Sequence, residues 1–414
     1  MEAWKERKLG DYILDIAAGP FGSNLKVECF VPTGFPIIDG ANLKEFKVTD
    51  NITKYVTEEK ARSLHRSIAK RNDVVVTISG NVGQISYIPL DSKYEEYLVS
   101  QRQFRVTFDS EKIYVPYLVY YFHTFEGQHK ILSFANQTGV PALAQPLKNF
   151  KNIDICLPDI NEQKRIAAIL SSLDNKIEIN RRINENLEQQ AQALFKSWFV
   201  DFEPFRDQPF VESELGMIPE GWRVVNLHEI VDIKRDNYKK GDDATLHYLP
   251  IDIIPMHSLG IYEFKDNKEA QSSLQTFEKN DIIIGAMRVY FHRVVIAPCK
   301  GITRNTCFVL KPKNQNLWAY SIMQCNQNET IDFANRTSKG STMPYAIWNN
   351  GLANYRIVLP NKEILSLFNR VVSPILEKVR DSYRINTIVS QLRDTLLPRL
   401  MSGELKVQEI EESL

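Results

Sequence analysis

An internal repeat is the feature that most constrains how this chain folds. FKNIDICLP at 150–158 aligns with LANYRIVLP at 352–360, an offset of 202 that holds without a gap to Asn184 and Asn386. Looser matches upstream keep their order: RNDVVV at 71–76 with KNDIII at 279–284, FANQT at 134–138 with FANRT at 333–337, and Trp4–Leu9 with Trp222–Leu227. Coincidence among short strings is the alternative, but it would not preserve the order. The sequence therefore predicts two related domains, each followed by a similar segment.

The segment that follows each repeat has the pattern of a long helix. Asp159 can cap the first helix, and Glu162 completes a capping-box pattern. Steps of four and three residues trace a seam that is apolar at eight of ten positions in the first segment and seven of ten in the second. The seams comprise Ile166, Leu170, Leu173, Ile177, Asn180, Asn184, Leu187, Ala191, Leu194 and Trp198, and then Phe368, Val372, Ile375, Val379, Ser382, Asn386, Val389, Arg393, Leu396 and Leu400. They predict two long antiparallel helices, at 159–204 and 361–403, packed as a coiled coil.

Each seam is polar at its centre, where Asn184 and Asn386 lie. These amides can fix the helix register, because a polar residue in an apolar seam disfavours slipped pairings; the equally open interpretation is that they face solvent. A helix of about 38 residues spans roughly 57 Å, too long for the core of one small domain, so we expect a spacer. Pro374 predicts a kink or a late start of the second helix. Residues 404–414 are expected to form an acidic, frayed tail.

The remaining segments have the patterns of mixed α and β domains. Val74–Val76 and Ile282–Ile284 have the composition of buried strands, and Pro116–His123 that of a helix. The predicted fold class is therefore α+β, with an internal pseudo-two-fold repeat. The predicted boundaries are a first domain at 1–158, a linker at 205–215 and a second domain at 216–360.

Composition excludes several classes of protein. No apolar run approaches the roughly 18 residues that span a bilayer, and the N-terminal MEAWKERKLGDY is charged where a signal peptide is apolar, so we expect a soluble, cytoplasmic protein. The five cysteines include no C-x-x-C pair. Lys plus Arg and Asp plus Glu both number 51. Net charge therefore predicts no nucleic-acid partner, and any such partner must be bound by local patches.

The motifs of common catalytic sites are missing from the sequence. It contains no G-x-x-x-x-G-K-[ST] loop, no dinucleotide fingerprint, no H-E-x-x-H, and no Asn or Asp followed by Pro-Pro and an aromatic residue. The seven histidines are scattered without metal-ligand spacing. The sequence predicts no catalytic residue, no metal site and no cofactor in this chain.

Two related domains held apart by helices suit a long ligand with two separated sites, and duplex DNA is the obvious candidate. Arg can bond guanine bidentately and Asn or Gln can bond adenine, while Lys, Ser and Thr more often hold phosphate. For any single residue the competing interpretation is a solvated loop side chain. The candidate DNA-binding residues of the first domain are Ser23, Asn24, Lys26, Ser79, Asn81, Gln84, Gln101, Arg102 and Gln103. Those of the second domain are Arg235, Lys239, Lys240, Arg288, Tyr290, His292, Arg293, Arg304 and Asn305.

Three segments resemble a known family. LPDINEQKRIAAILSSLDNKIEINRRINENLEQ is similar to the central conserved region of the specificity subunit of type I restriction-modification systems, in which L-P, E-Q and a long helix follow each target-recognition domain. MIPEGWRVVNLHEI resembles the start of that family's second recognition domain, and LLPRLMSGEL its C-terminal end. The second copy of the repeat departs from the family pattern, because Ile364 and Leu365 stand at the positions that Glu162 and Gln163 occupy in the first copy. The sequence therefore has one capping box instead of two, which argues against equal partner contacts at the two helices.

The resemblance implies a non-catalytic DNA-reading subunit. Each recognition domain would read one half of a bipartite, asymmetric target, and the helices would set the gap and dock methyltransferase subunits. A restriction and translocation subunit would join the assembly. S-adenosylmethionine, ATP and Mg are expected on those partner subunits. Because the loops of the two domains differ more than their helices do, we predict two different half-sites.

Two alternatives belong to other functional classes. A methyltransferase or nuclease fused to its own reader would require a cofactor loop or a carboxylate cluster that the sequence does not contain. A protein-binding scaffold with two domains would bind no DNA, and a salt-dependent DNA titration would distinguish it from a reader.

Overall fold

A computed structural model of the chain describes residues 5–43, 45–136, 141–239, 243, 245–271 and 273–412. The chain divides into two compact units. Unit 1 comprises Met1–Asp174 and Gln391–Leu414, and unit 2 comprises Asn175–Ser390. The division runs through both long helices, so each unit combines one predicted domain with a part of each helix.

Short strands and helices make up most of both units. The strands of unit 1 are β1 (Lys5–Lys8), β2 (Ile13–Ala18), β3 (Phe35–Ile38), β4 (Tyr55–Val56), β5 (Ile68–Lys70), β6 (Val74–Thr77), β7 (Ile85–Tyr87), β8 (Glu96–Val99), β9 (Gln103–Phe108), β10 (Ala135–Asn136), β11 (Ala142–Leu143) and β12 (Asp154–Leu157). Those of unit 2 are β13 (Phe210–Ser213), β14 (Gly216–Pro219), β15 (Arg223–Asn226), β16 (Val231–Lys234), β17 (Asn237–Tyr238), β18 (His247–Leu249), β19 (Leu274–Phe277), β20 (Ile282–Gly285), β21 (Val294–Ile296), β22 (Gly301–Arg304), β23 (Cys307–Pro312) and β24 (Arg356–Leu359). The helices are α1 (Glu58–Ser63), α2 (Val115–Phe122), α3 (Phe125–Leu132), α4 (Pro146–Lys151), α5 (Ile160–Phe199), α6 (Trp318–Cys325), α7 (Asn328–Arg336), α8 (Lys362–Met401) and α9 (Val407–Glu411).

Two sheets form the body of unit 1. The first has the order β2-β9-β6-β7, and the second has the order β4-β3-β8-β5 with β3 and β8 parallel. Strand β6 is buried on both faces: Val74 and Val76 lie in the cluster that includes α2, while Val75 packs with Tyr97 and Val99 of the second sheet. Successive side chains of a strand point to opposite faces. A run of three valines therefore suits a strand held between two layers.

Unit 2 repeats this plan. Its sheets have the orders β16-β23-β20-β21 and β17-β19-β22-β18, with β18 and β22 parallel. On β20, Ile282 and Ile284 join the cluster that includes α6, and Ile283 joins a second cluster with Val295 and Val309. The predicted buried strands and the predicted repeat are confirmed.

One repeat match does not extend to secondary structure. Phe333–Arg336 belongs to α7, whereas Phe134 follows α3 and its neighbours Ala135 and Asn136 form β10. Gln137 and Thr138 lie outside the described residues. The two FAN segments are thus alike in sequence but differ in conformation, because β10 pairs with β11 in unit 1 while the helix continues in unit 2.

Both long helices have polar N-caps. Asp159 Oδ1 accepts hydrogen bonds from the backbone N–H of Asn161 at 2.9 Å and of Glu162 at 3.1 Å. The second helix has its own cap, since Asn361 Oδ1 accepts from the N–H of Ile364 at 3.0 Å. The second helix lacks the capping-box sequence, but its start is still capped, by an asparagine instead of an aspartate.

In unit 2, α5 and α8 are antiparallel and joined by amides. Asn180 Nδ2 donates to Asn386 Oδ1 at 2.7 Å, and Asn184 Nδ2 donates to Ser382 Oγ. Asn184 and Asn386 are both buried, so the interpretation that they face solvent is wrong. Each pairs across the helices with a polar residue of the predicted seams rather than with the other.

In unit 1, the same two helices meet through aliphatic residues. Ile166 and Leu170 of α5 share a core cluster with Leu397 and Leu400 of α8. The helices end at Phe199 and Met401, before the predicted limits of 204 and 403.

Three expectations about connecting segments need correction. The predicted linker contains β13, which pairs with β14 in a hairpin. The predicted frayed tail contains α9, because Val407 is buried in the core of unit 1. The late start predicted at Pro374 is wrong, because α8 begins at Lys362 and runs through this proline; a kink there stays a prediction. Arg370, whose carbonyl loses its N–H partner, is exposed, so water can satisfy that carbonyl.

Candidate nucleic-acid interface

In unit 1, four connecting segments line a cleft of about 580 Å³, called here the first cleft. They are residues 25–30, the residues that follow β3, the β6–β7 loop and the β8–β9 turn. Sequence-predicted residues from separate parts of the domain meet here: Ser79, Asn81, Gln84, Gln101, Arg102 and Gln103. The arrangement of the two sheets brings them together, because β6 of one sheet and β8 of the other each end at this edge of the unit.

The floor and the rim of the first cleft differ in their hydrogen bonding. Gln103 is 1% exposed and accepts a hydrogen bond from Ser100 Oγ, while Gln84 Oε1 accepts from Thr77 Oγ1 at 3.3 Å. Asn81, Gln101 and Arg102 are exposed at the rim. The rim residues are therefore the ones placed to contact a ligand directly.

An ion pair that the sequence did not indicate lines the same cleft. Lys54 Nζ lies 2.6 Å from Asp39 Oδ2. Burial alone would raise the pKa of Asp39, but the hydrogen bonds from Lys54 and from the N–H of Ala41 lower it below its usual range. Asp39 is thus held ionised, and it balances the charge of Lys54 beside the amides.

The three candidates at 23–26 lie beside this cleft. Asn24 and Lys26 are exposed, and Ser23 belongs to the turn Gly22–Asn24. Leu25 and Val27, their neighbours, line the cleft.

In unit 2, the equivalent loops enclose a second cleft of about 630 Å³. The β20–β21 loop corresponds to β6–β7, and the β22–β23 turn to β8–β9. Arg235 and Asn305, both predicted, line it. Further walls come from the segment 339–349, which contributes Lys339 and Tyr345. Sequence reasoning missed this segment because its position depends on long-range backbone pairing.

The β20–β21 loop presents its residues from an unusual backbone. Arg288 and His292 both have positive φ, 50° and 49°, and the Arg288 N–H donates to the carbonyl of Pro344 at 2.7 Å. Non-glycine residues in the left-handed region are held by their surroundings and cluster at functional sites. The loop thereby exposes Arg288 and Tyr290.

Three of the residues predicted to bind DNA in unit 2 have partners inside the unit, and one of them, His292, is buried and needs correction. His292 is 6% exposed and its Nε2 lies 2.9 Å from Asn326 Oδ1; burial lowers its pKa, so it is a neutral structural residue. Arg293 donates to the carbonyl of Ile251, which occupies its guanidinium inside the unit. Arg304 is half-buried and donates to the carbonyl of Gln271 at 3.4 Å. Lys239 is exposed, and Lys240 lies outside the described residues.

Neither a metal cluster nor a membrane helix is found in the ranges that the structure describes. Within them, no three His, Cys, Asp or Glu side chains are grouped to hold a metal ion. In the same ranges, no helix has the length and apolar character to cross a bilayer.

Comparison with protein families identifies the chain. The model for the type I restriction modification DNA specificity domain matches residues 1–189 and 219–391. The chain belongs to this family. The two matched segments correspond to the two copies of the internal repeat, so the predicted resemblance is confirmed.

Two named specificity subunits match over nearly their whole length. The MjaIX specificity subunit of Methanocaldococcus jannaschii is 25% identical over 429 residues, which cover 98% of this chain and 94% of that protein. The HindI specificity subunit of Haemophilus influenzae is 23% identical over 479 residues, covering 98% and 100%. A crystal structure of a type I S subunit from M. genitalium has a TM-score of 0.54 at 15% identity and covers 96% of both chains. That structure supports the fold.

Proposed function

We propose that this chain is the non-catalytic, DNA-reading subunit of a type I restriction-modification complex. Each cleft reads one half of a bipartite, asymmetric DNA target. The observation that carries the proposal is that equivalent connections of related sheets build both clefts. One is a hairpin loop, β6–β7 or β20–β21, and the other is a turn that links the two sheets, β8–β9 or β22–β23. Since the walls contain different residues, the two half-sites differ in sequence.

The exposed residues at the clefts match the chemistry of base edges and phosphates. Asn81, Gln101 and Asn305 offer amides that can bond adenine, and Arg102 offers a guanidinium that can bond guanine bidentately. Phosphate contacts give register and affinity but little sequence information. Specificity is therefore assigned to the amides and the guanidinium, and salt-sensitive affinity to the lysines beside them.

The partners follow from the family and from the helix surface. Ile179 and Ile183 of α5 and Ile385 and Ile388 of α8 are exposed apolar residues in unit 2. At spacings of three and four residues they lie on one face of each helix, which suits docking of a methyltransferase subunit. A restriction and translocation subunit completes the complex, and S-adenosylmethionine, ATP and Mg bind to those partners in the cytoplasm. The role of the two helices as a spacer stays a prediction.

Selection from a library of randomised DNA duplexes tests the proposal. The wild-type chain should enrich a target with two specified halves. Gln101→Ala should relax the preference in one half and Asn305→Ala in the other, each at a cost of about 1–3 kcal/mol at the affected base pair.

The matched control is Gln208→Ala, an exposed glutamine away from both clefts, which should leave the enriched target unchanged. Equal losses of binding to all sequences in the cleft variants would contradict base reading. Incubation with labelled S-adenosylmethionine and DNA should transfer no methyl group, and transfer would favour the fused enzyme. A binding constant that does not change with salt would favour the protein-binding scaffold.

A further inference from the structure

Each cleft exposes an apolar side chain beside residues that can form hydrogen bonds. Val27 lines the first cleft and is 80% exposed, and Met343 lines the second and is 52% exposed. Single exposed apolar residues are common on protein surfaces. These two side chains line the clefts that are proposed to bind DNA, so a bound duplex would cover them.

The backbone around Val27 fixes its exposed position. Val27 begins a 3-10 turn in which the N–H groups of Cys29 and Phe30 donate to the carbonyls of Lys26 and Val27, each at 3.0 Å. Leu25, two residues earlier, is buried in a core cluster of unit 1. With Leu25 anchored and the turn closed, Val27 remains at the cleft surface.

Met343 is presented by a closed hairpin. The backbones of Lys339 and Tyr345 exchange two hydrogen bonds of 2.9 Å, and Gly340 supplies the positive φ of 92° that the turn requires. The hairpin is tied to the β20–β21 loop, since Ala346 N–H donates to the carbonyl of Ala286 at 2.8 Å. Met343 is therefore held beside the loop that exposes Arg288.

We propose that Val27 and Met343 each contact the 5-methyl group of a thymine in the major groove, one in each half-site. This inference rests on the proposed DNA-reading function and names a part of what each cleft reads. The thymine methyl is the apolar group among the hydrogen-bonding base edges of the major groove. Burying an apolar side chain against it is favourable, whereas burial against polar edges would leave those edges unpaired. Lys26 and Lys339, the flanking cations, face the neighbouring phosphates.

The test starts from the duplex that the full-length wild-type chain enriches from a randomised library. Each thymine of that duplex is replaced in turn by deoxyuridine, which removes only the methyl group. We expect one replacement in each half to weaken wild-type binding by about threefold. Val27→Ala should abolish the effect of deoxyuridine in one half, and Met343→Ala should abolish it in the other.

Val211→Ala and Met217→Ala are matched controls, since both residues are exposed on the β13–β14 hairpin and should retain both deoxyuridine effects. The replacement changes the DNA alone, so it separates a lost contact from a disturbed loop. If no thymine in the enriched duplex is sensitive to deoxyuridine, or if both variants affect the same half, the inference is overturned while DNA reading stands. If the wild-type chain enriches no sequence, the proposed function itself fails.

Discussion

The two clefts are built on equivalent strands and loops, called here the frame, and differ in the segments that complete them, called here the walls. In both, the β6–β7 and β20–β21 loops face the equivalent β8–β9 and β22–β23 turns. The first cleft is completed by the residues after β3 and by the Lys54–Asp39 ion pair, the second by the 339–349 segment. The strands that support the frame are buried on both faces, so their sequences have little freedom. The walls are exposed and can change to recognise another ligand without unfolding the sheets.

The helix contacts of the two units differ in a similar way. Besides the amides, unit 2 joins α5 to α8 through aromatic rings, with Phe199 of α5 centred 4.7 Å from Phe368 of α8. Phe199 also lies 5.0 Å from Tyr320 of α6. Unit 1 uses aliphatic side chains and an ion pair between Asp174 and Arg393 at 2.8 Å. The repeat therefore preserves the helices and their direction but not the chemistry that joins them.

The largest expected effect comes from the aromatic contact. Phe199→Ala should lower the unfolding free energy of unit 2 by about 3–5 kcal/mol, because it removes a buried ring and leaves a cavity. Leu400→Ala, the counterpart in unit 1, should cost about 2–4 kcal/mol. Hydrogen exchange followed by mass spectrometry measures the loss separately in each unit. If either variant lowered hydrogen-exchange protection equally in both units, the claim that each helix contact stabilises its own unit would be wrong.

A smaller effect is expected at the amide pair of unit 2. Asn180→Leu leaves Asn386 buried without its partner, which should cost about 1–3 kcal/mol in denaturant unfolding. The double variant Asn180→Leu/Asn386→Leu removes both polar groups and should recover most of the loss. A double variant no more stable than the single one would show that the amides are not coupled.

The smallest effect is a pH dependence within unit 2. Burial raises the pKa of Glu188 to about 7, although the N–H groups of Leu259 and Gly260 and the hydroxyl of Ser258 donate to it. The folded state then keeps its proton up to about pH 7, while the unfolded chain releases it near 4.5. The unfolding free energy should fall by about 1–2 kcal/mol as the pH rises from 4.5 to 7.

Glu188→Gln should remove that part of the dependence, measured as denaturant midpoints at pH 5 and 7.5. Glu185→Gln, at an exposed neighbour, is the control and should retain it. Other titrating groups are common to all three proteins and cancel in the difference. Identical pH profiles for Glu188→Gln and the wild type would contradict a raised pKa in the folded state.

The sequence indicated the frame better than the walls. Runs such as Val74–Val76 and the seams of the two helices are local patterns whose burial follows from their periodicity. The candidates around Ser79 and Gln101 met in one cleft because each follows a strand that ends at the same edge. The positions of the side chains of His292, Arg293 and Lys339 depend on contacts with residues far along the chain, and no local sequence pattern encodes those contacts.

Unit 1 is assembled from both ends of the chain, with Val407 and Leu400 in the same core as Leu9 and Val74. Unit 2 is one uninterrupted stretch, Asn175–Ser390. During translation, unit 2 therefore has all its parts before unit 1 does, although the ribosome makes most of unit 1 first. Until residues 391–412 emerge, the core residues of unit 1 that pack with Leu400 and Val407 stay uncovered, which makes that interval the one in which a chaperone would matter most.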